Sequence, residues 1–435
     1  MNKKMNLREN TFLKSLTVLA TSSLAAQVIL ALHQILLARV FSAESLGVYN
    51  FLLAVPMAFV GVICGRYDLA IVYEEDEKKV FPLVKLNVLV NILVSFLVTV
   101  GYIIYVVFFK KDYIGDLYLF PFLFLYMVAY GLTNTLNAYN NRYKDYKMIA
   151  KMYFVRTLAQ CLGMAVPGVI IVYFLKMDNL SVPILIIPYC IGMFFGVFTQ
   201  GRFLFQNRKE IAAVPMKTVL ETAGIHKKQP LLSAPAIFAN SFSYSLMTMI
   251  SEGFGKACAG YYSISTRLLG MPISLISGNL SKVYMEEASK EYNETGGYKR
   301  AFDRTFKFLI VIALPMFLCM YFLAPVLCGI VLGEEWVVAG EYIKALSVMF
   351  TFRFVSTALS PGLYACRKQQ TEFVVQALLL AVTVAAGILT KIWNMDIISF
   401  LYVVGAARSA VMLFQIIMVF VYSRGKKDAS QTPAG

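Results

Sequence analysis

Charged residues divide the chain into apolar runs at 13–38, 46–64, 84–108, 117–138, 152–175, 182–200, 232–251, 258–281, 306–332, 337–363, 373–390 and 397–422. A helix needs about 20 apolar residues to cross roughly 30 Å of hydrocarbon, and the connectors between these runs are short. The pattern predicts an all-α polytopic membrane protein with about twelve transmembrane helices.

Composition agrees. Of the 435 residues, 59% are hydrophobic and 15% charged, against about 25% charged in a typical soluble domain. The start, Met1-Asn2-Lys3-Lys4, leads into an apolar segment too long for a signal-peptide core and without a small-residue cleavage site, so it reads as a retained first helix.

The net charge of +15 sets orientation, because Lys and Arg are retained on the cytoplasmic side. With the N-terminus inside, about 30 basic residues fall on one face and about 7 on the other. Both termini are therefore expected in the cytoplasm, with the chain in an inner membrane. The basic residues lie between apolar runs and form no stripe, which argues against a nucleic-acid partner.

The longest inner segment, 201–231, is basic and lies near the midpoint. The expected domains are an N-terminal lobe at 1–200, a linker at 201–231, a C-terminal lobe at 232–423 and a tail at 424–435. A weak internal repeat supports two six-helix lobes. Ala26-Gln27 precedes Gly47-Val48-Tyr49 by the interval that separates Ala239-Asn240 from Gly260-Tyr261-Tyr262, and Tyr139 and Arg142 are echoed by Tyr364 and Arg367.

Enzyme motifs are missing: there is no P-loop, GxSxG or HExxH, and the histidines are His33 and His226. The protein is expected not to be an enzyme, and to have no cofactor. Transport would draw on a proton or sodium gradient or the membrane potential. His226, beside Lys227 and Lys228, is expected to be solvated. His33, in the first run, fits an interhelical hydrogen bond or a proton site. The seven cysteines form no CxxC pair, so neither zinc nor a disulfide framework is implied. The run Glu74-Glu75-Asp76-Glu77 reads as a solvated helix start with no metal.

With Arg156, near the inner end of its run, counted on the cytoplasmic face, three arginines remain, Arg267, Arg353 and Arg408, and these fall inside predicted spans. An arginine near a helix centre costs about 2.5–3.5 kcal/mol on insertion scales, and such residues face a polar partner or a cavity. Acids able to neutralise them are scarce, Glu252 lying at a helix end and Asp68 beside Arg66. Guanidinium groups without acidic partners suit an anionic phosphate or pyrophosphate, although helix capping or carbonyl bonding would also place them there. Gln27 and Asn240, at matching points of the repeat, are candidate contacts for sugar hydroxyls. Arg66 with Asp68 reads as a structural or gating pair at the inner face. Arg39, at the outer end of the first run, joins them as a gating or structural candidate.

Several segments resemble the bacterial O-antigen and polysaccharide flippase family (Wzx type), within the multidrug/oligosaccharidyl-lipid/polysaccharide exporter superfamily. They are Ser45-Leu46-Gly47-Val48-Tyr49, Gly65-Arg66-Tyr67-Asp68-Leu69-Ala70-Ile71-Val72, Asn141-Arg142-Tyr143-Lys144, the stretch from Ser265 to Ile276, Gly333-Glu334-Glu335-Trp336 and Ala339-Gly340-Glu341-Tyr342. The likeness implies two six-helix lobes around a central cavity with alternating access. The implied cargo is an undecaprenyl-pyrophosphate-linked oligosaccharide carried to the outer leaflet for O-antigen or capsule synthesis. It aligns Arg267 with the family's helix-8 arginine and Arg66 with the arginine of its tyrosine-acid motif. Implied partners are the lipid-linked oligosaccharide, membrane lipids, a polysaccharide polymerase and glycosyltransferases.

A lipid II-type flippase is chemically the nearest alternative. A multidrug/cation antiporter would call for buried carboxylates, and an O-antigen polymerase usually carries a large outer loop.

Overall fold

The computed structural model describes residues 29–425. Among them all regular structure is helical, in the order α1 (Ile29–Val40), α2 (Ala43–Phe59), α3 (Asp68–Tyr73), α4 (Val80–Phe109), α5 (Phe120–Arg142), α6 (Tyr146–Pro167), α7 (Ser181–Gln200), α8 (Arg202–Ala213), α9 (Met216–Ile225) and α10 (Ala234–Glu252). The chain continues with α11 (Lys256–Pro272), α12 (Gly278–Thr295), α13 (Lys299–Leu318), α14 (Ala324–Leu332), α15 (Val337–Leu359), α16 (Pro361–Ala365), α17 (Gln369–Ile392) and α18 (Ile397–Ser423). Wide-turn segments extend α6 to Phe174, join α11 to α12 and join α13 to α14.

Eight of these stretches are long and apolar enough to cross a membrane: Glu77–Phe109, Lys111–Arg142, Tyr146–Phe174 and Asp178–Gln200, then Lys299–Leu332, Glu334–Ala365, Gln369–Ile392 and Ile397–Ser423. They fall in two blocks of four. Before each block stand two helices that fall short: α1 and α2 in the first half, α10 and α11 in the second. The first predicted span, 13–38, lies largely outside the described residues, and α2 is one residue short of the length of a span. Helices α10 and α11 fall short for another reason. Asn240, Ser241, Ser243, Ser245, Ser263, Ser265, Thr266 and Arg267 interrupt their apolar surface, as in helices that bury polar groups away from lipid.

The turns repeat as well. Lys144 (φ 58°), after α5, corresponds to Arg367 (φ 60°), after α16, and Lys176 (φ 57°) to Asn394 (φ 46°). Each is a left-handed non-glycine residue between two spans, a conformation uncommon enough to be informative when it recurs at equivalent joints. The repeat is therefore real in the backbone, but its register is shifted from the expected one. The partner of Arg367 is Lys144, not Arg142.

The described residues divide into two compact units, with the division between Ser245 and Leu246, within α10. In the first unit α6 and α7 approach closely through glycine. A Cβ on Gly192 would lie 2.6 Å from Gln160 Cγ and 3.0 Å from its Cα, and one on Gly163 would lie 2.9 Å from Pro188 Cβ. Small residues of this kind let membrane helices gain dispersion contacts where no hydrophobic driving force separates protein from lipid. In the second unit α15 is the central helix, enclosed by α11, α13, α14 and α18. Its buried residues include Phe350, Phe354 and Leu359.

The segment 201–231 is not a free linker. Helices α8 and α9 bury Ile211 and Val219 against Leu83, Val84 and Ile71 of the first unit. Lys85 of α4 donates to the carbonyls of Ala212 (2.7 Å) and Val214 (2.6 Å), capping the end of α8.

Candidate functional site

Two groups of polar side chains merit a functional reading, one in each unit.

In the first unit the chain leaves α2 through Gly65 (φ 58°) and Arg66 (φ 62°) and enters the short helix α3. Two successive left-handed residues bend the backbone sharply, and only the first is a glycine. Burial pushes the Asp68 carboxyl above the usual carboxylate range, and the nearby Arg66 guanidinium draws it part of the way back. The end of α3 is fixed by Arg142 of α5. Its Nη1 donates to the carbonyls of Ile71 (3.1 Å) and Glu74, and its Nη2 donates to Glu77 Oε1 (2.9 Å). Tyr143 donates to Glu77 Oε2 (2.8 Å). Two segments that resemble the flippase family, 65–72 and 141–144, thus meet here.

This arrangement corrects two expectations. His226 is 8% exposed, and its Nε2 lies 3.0 Å from Glu74 Oε2. Its Nδ1 lies 3.4 Å from the Tyr73 hydroxyl, which accepts from Gln229 Nε2 at 3.0 Å. The acidic run is likewise not merely solvated, since Glu74 and Glu77 are both engaged. A signal for His226 was present: Val219, Thr222 and His226 share one face of a helix, and all three are buried.

In the second unit Arg267 lies half-buried on α11 and Arg353 half-buried on α15. Ser265 Oγ donates to the Ala339 carbonyl (2.8 Å) and Ser277 Oγ to the Phe354 carbonyl (2.8 Å), so α11 with its extension runs parallel to α15. On that register Arg267 is level with about residue 341 and Arg353 with about residue 276. The offset is about 14 to 18 Å at 1.5 Å per residue. The two arginines therefore occupy different depths along the bundle. Arg353 lies with its guanidinium carbon 5.3 Å from the Phe350 ring centroid.

Arg408 is placed differently. It is 0% exposed, and its Nη1 donates to Thr383 Oγ1 at 2.7 Å, tying α18 to α17. An enclosed guanidinium of this kind acts within the helix bundle and offers no face to a passing cargo. Among the other candidates, Asn240 is half-buried on α10, Arg39 is exposed at the end of α1, and Gln27 lies outside the described residues.

Two resemblance segments of the second unit, 265–276 and 339–342, also meet. Gly340 lies against the backbone of Ala324 and Pro325, where a Cβ has no room, and the carbonyl of its neighbour Ala339 accepts from Ser265. Trp336 is enclosed, with Tyr261 at a ring distance of 5.6 Å. Among the described residues no three His, Cys, Asp or Glu side chains gather as metal ligands.

A profile of a polysaccharide biosynthesis protein family matches residues 36–341. The chain belongs to that family. Among curated proteins no sequence matches it. Its fold is shared with solved transporters at low identity. An inward-facing multidrug resistance MATE family transporter of the MOP superfamily superposes with a TM-score of 0.65 at 12% identity, over 93% of this chain and 97% of the other. The lipid II flippase MurJ, in an inward closed conformation, gives 0.64 at 12% identity over 93% and 87%. A MOP superfamily transporter from Pyrococcus furiosus gives 0.60 at 11% identity over 94% and 95%. This polysaccharide biosynthesis family member is thus a multi-pass membrane protein with the two-lobe, twelve-helix transporter fold.

Proposed function

We propose that the protein is a flippase for undecaprenyl-pyrophosphate-linked oligosaccharide, moving the headgroup from the cytoplasmic to the outer leaflet of a bacterial inner membrane by alternating access. The observation that carries this reading is Arg267, a half-buried cation on a helix too polar to be a simple span. In a polysaccharide biosynthesis protein with a transporter fold, such a residue suits a diphosphate. A sugar headgroup cannot cross hydrocarbon unaided, because each unsatisfied hydroxyl costs several kcal/mol. Polar helices within a membrane bundle supply the missing partners.

Arg267 is assigned to the pyrophosphate. Arg353, at another depth, is assigned to a second stage of its passage. Asn240 and Gln27 are candidates for the sugar. With both termini inside, as the distribution of Lys and Arg indicates, outward movement of the anion is favoured by about 2.3 kcal/mol per charge per 100 mV. The potential, or a proton or sodium gradient, would drive export. A polymerase and glycosyltransferases would act on either side of this step.

A lipid II-type cargo is the second reading, favoured by the fold shared with MurJ. A multidrug/cation antiporter suits a cavity of carboxylates better than one bearing arginine.

Deletion of the gene should leave oligosaccharide-linked undecaprenyl carrier on the inner leaflet and remove surface polysaccharide. An unchanged surface polymer together with an unchanged lipid-linked pool would rule the reading out. Accumulation of the lipid-linked peptidoglycan precursor on the inner leaflet instead would select lipid II.

A further inference from the structure

A further arginine lies at membrane depth, in the first unit. From sequence Arg156 counts with the basic residues of the inner face, yet it stands about 15 Å inside the span Tyr146–Phe174. Its Cβ sits where α6 meets α7, 3.4 Å from the place a Cβ on Gly196 would take. The guanidinium carbon lies 5.1 Å from the ring centroid of Tyr153, and its charge acts on the Tyr130 hydroxyl of α5. The Arg156 Nε is buried without an acceptor, and no carboxylate pairs with the side chain among the described residues. A cation held at this depth without an acidic partner points to a ligand.

Helices α5 and α6 are joined by the short turn at Lys144 and pack antiparallel. About twelve residues past that turn, Arg156 is level with about residue 132 of α5. Around that level Tyr130, Asn134 and Asn137 share one helix face, and all three are half-buried. Asn134 is already engaged, its Nδ2 donating to the Val60 carbonyl at 3.2 Å. Asn137 Oδ1 is buried and accepts no hydrogen bond.

Unmet donors and an unmet acceptor thus lie along one facing pair of helices. A diphosphate supplies acceptors alone and would leave Asn137 Oδ1 bare. A neutral sugar would leave the guanidinium without a counter-charge. A sugar ring that carries a carboxylate meets both needs, because the carboxylate matches the planar guanidinium fork and a ring hydroxyl donates to the amide oxygen. The tyrosine rings beside the cation offer apolar faces to the CH groups of such a ring.

We propose that Arg156, with Tyr130 and Asn137, forms a subsite in the first unit for an acidic sugar of the hexuronic type. The inference rests on the flippase reading and adds to it the class of sugar in the headgroup. Arg156 holds the carboxylate, and the α5 face holds the ring hydroxyls.

Saturation-transfer NMR on the purified full-length protein tests this with methyl glucuronide, methyl glucoside and, as a competitor, inorganic phosphate. Wild-type protein should bind the glucuronide saturably and the glucoside about tenfold more weakly, and phosphate at equal concentration should not displace the glucuronide. Arg156→Gln should weaken glucuronide binding about tenfold or more, as expected for loss of a charged hydrogen-bond partner, and Asn137→Leu should weaken both sugars. The subsite is overturned if wild-type protein shows no saturable glucuronide binding, binds both sugars equally, or loses the glucuronide to phosphate. Unchanged glucuronide binding in either folded variant overturns it as well, and the wild-type comparison decides even where a variant does not fold. Flipping of the lipid-linked oligosaccharide in vesicles without glucuronide binding removes the subsite and keeps the flippase reading. Glucuronide binding without flipping keeps the subsite and removes that reading.

Discussion

Arginine in a membrane helix is ambiguous until its neighbours are known. From sequence, Arg267, Arg353 and Arg408 look alike: each sits in an apolar run without an adjacent acid. The structure separates them through contacts distant in sequence. Thr383 claims Arg408, while Arg267 and Arg353 lie at different depths on α11 and α15. No pattern along the chain encodes which helix lies alongside. The variants should divide accordingly. Arg408→Ala empties an enclosed site and is expected to cost about 2–4 kcal/mol of stability, read as a lower melting temperature in detergent. Arg267→Ala should leave melting within about 0.5 kcal/mol of wild type, as for partly exposed positions, while abolishing export. Normal export with Arg267→Ala at normal protein level would remove it from the site.

At the scale of elements, hydropathy located the spans well because lipid-facing helices are apolar whatever they touch. It failed at the basic end of the first unit, where α8 and α9 are amphipathic and dock on α3 and α4. Glu74 and Glu77 of the charge run, and His226, look solvated in one dimension and are paired in three. His226→Ala would remove the partner of a nearly buried Glu74 carboxylate, at a cost of about 1–3 kcal/mol. Amide exchange across 216–225 should then speed up by about tenfold or more, with α4 and α5 unchanged. Exchange that does not change would show that α9 is held by Val219 and Ile211 alone. Close helix contact gives a second check. Gly192→Ala must move Gln160 or its helix, so a loss of about 1–3 kcal/mol is expected, measured by thermal melting. A neutral result would mean that α6 and α7 separate without cost.

For the whole molecule, the two blocks of four strong spans, each preceded by two weaker helices, carry the duplication more clearly than residue matching does. The repeat seen in sequence had the right period but paired Arg142 with Arg367. The turn geometry pairs Lys144 with Arg367 instead, because backbone conformation is retained where side chains have diverged. Four of the short segments that carry the flippase resemblance are brought together in pairs by the fold, 65–72 with 141–144 and 265–276 with 339–342. Sequence could not rank polar residues by access to a cargo. That depends on helix rotation, which hydropathy does not report.

The central claim is that this protein moves an anionic lipid-linked oligosaccharide across the membrane through a site that includes Arg267. It is tested most directly by reconstituting the purified protein in vesicles with an undecaprenyl-pyrophosphate-linked oligosaccharide and following accessibility of the sugar to an external glycosidase. The account predicts that wild-type protein exposes sugar from the inner leaflet well above the rate in protein-free vesicles, and that Arg267→Ala returns it to that background. Equal rates with and without protein, or undiminished flipping by the variant, would contradict it.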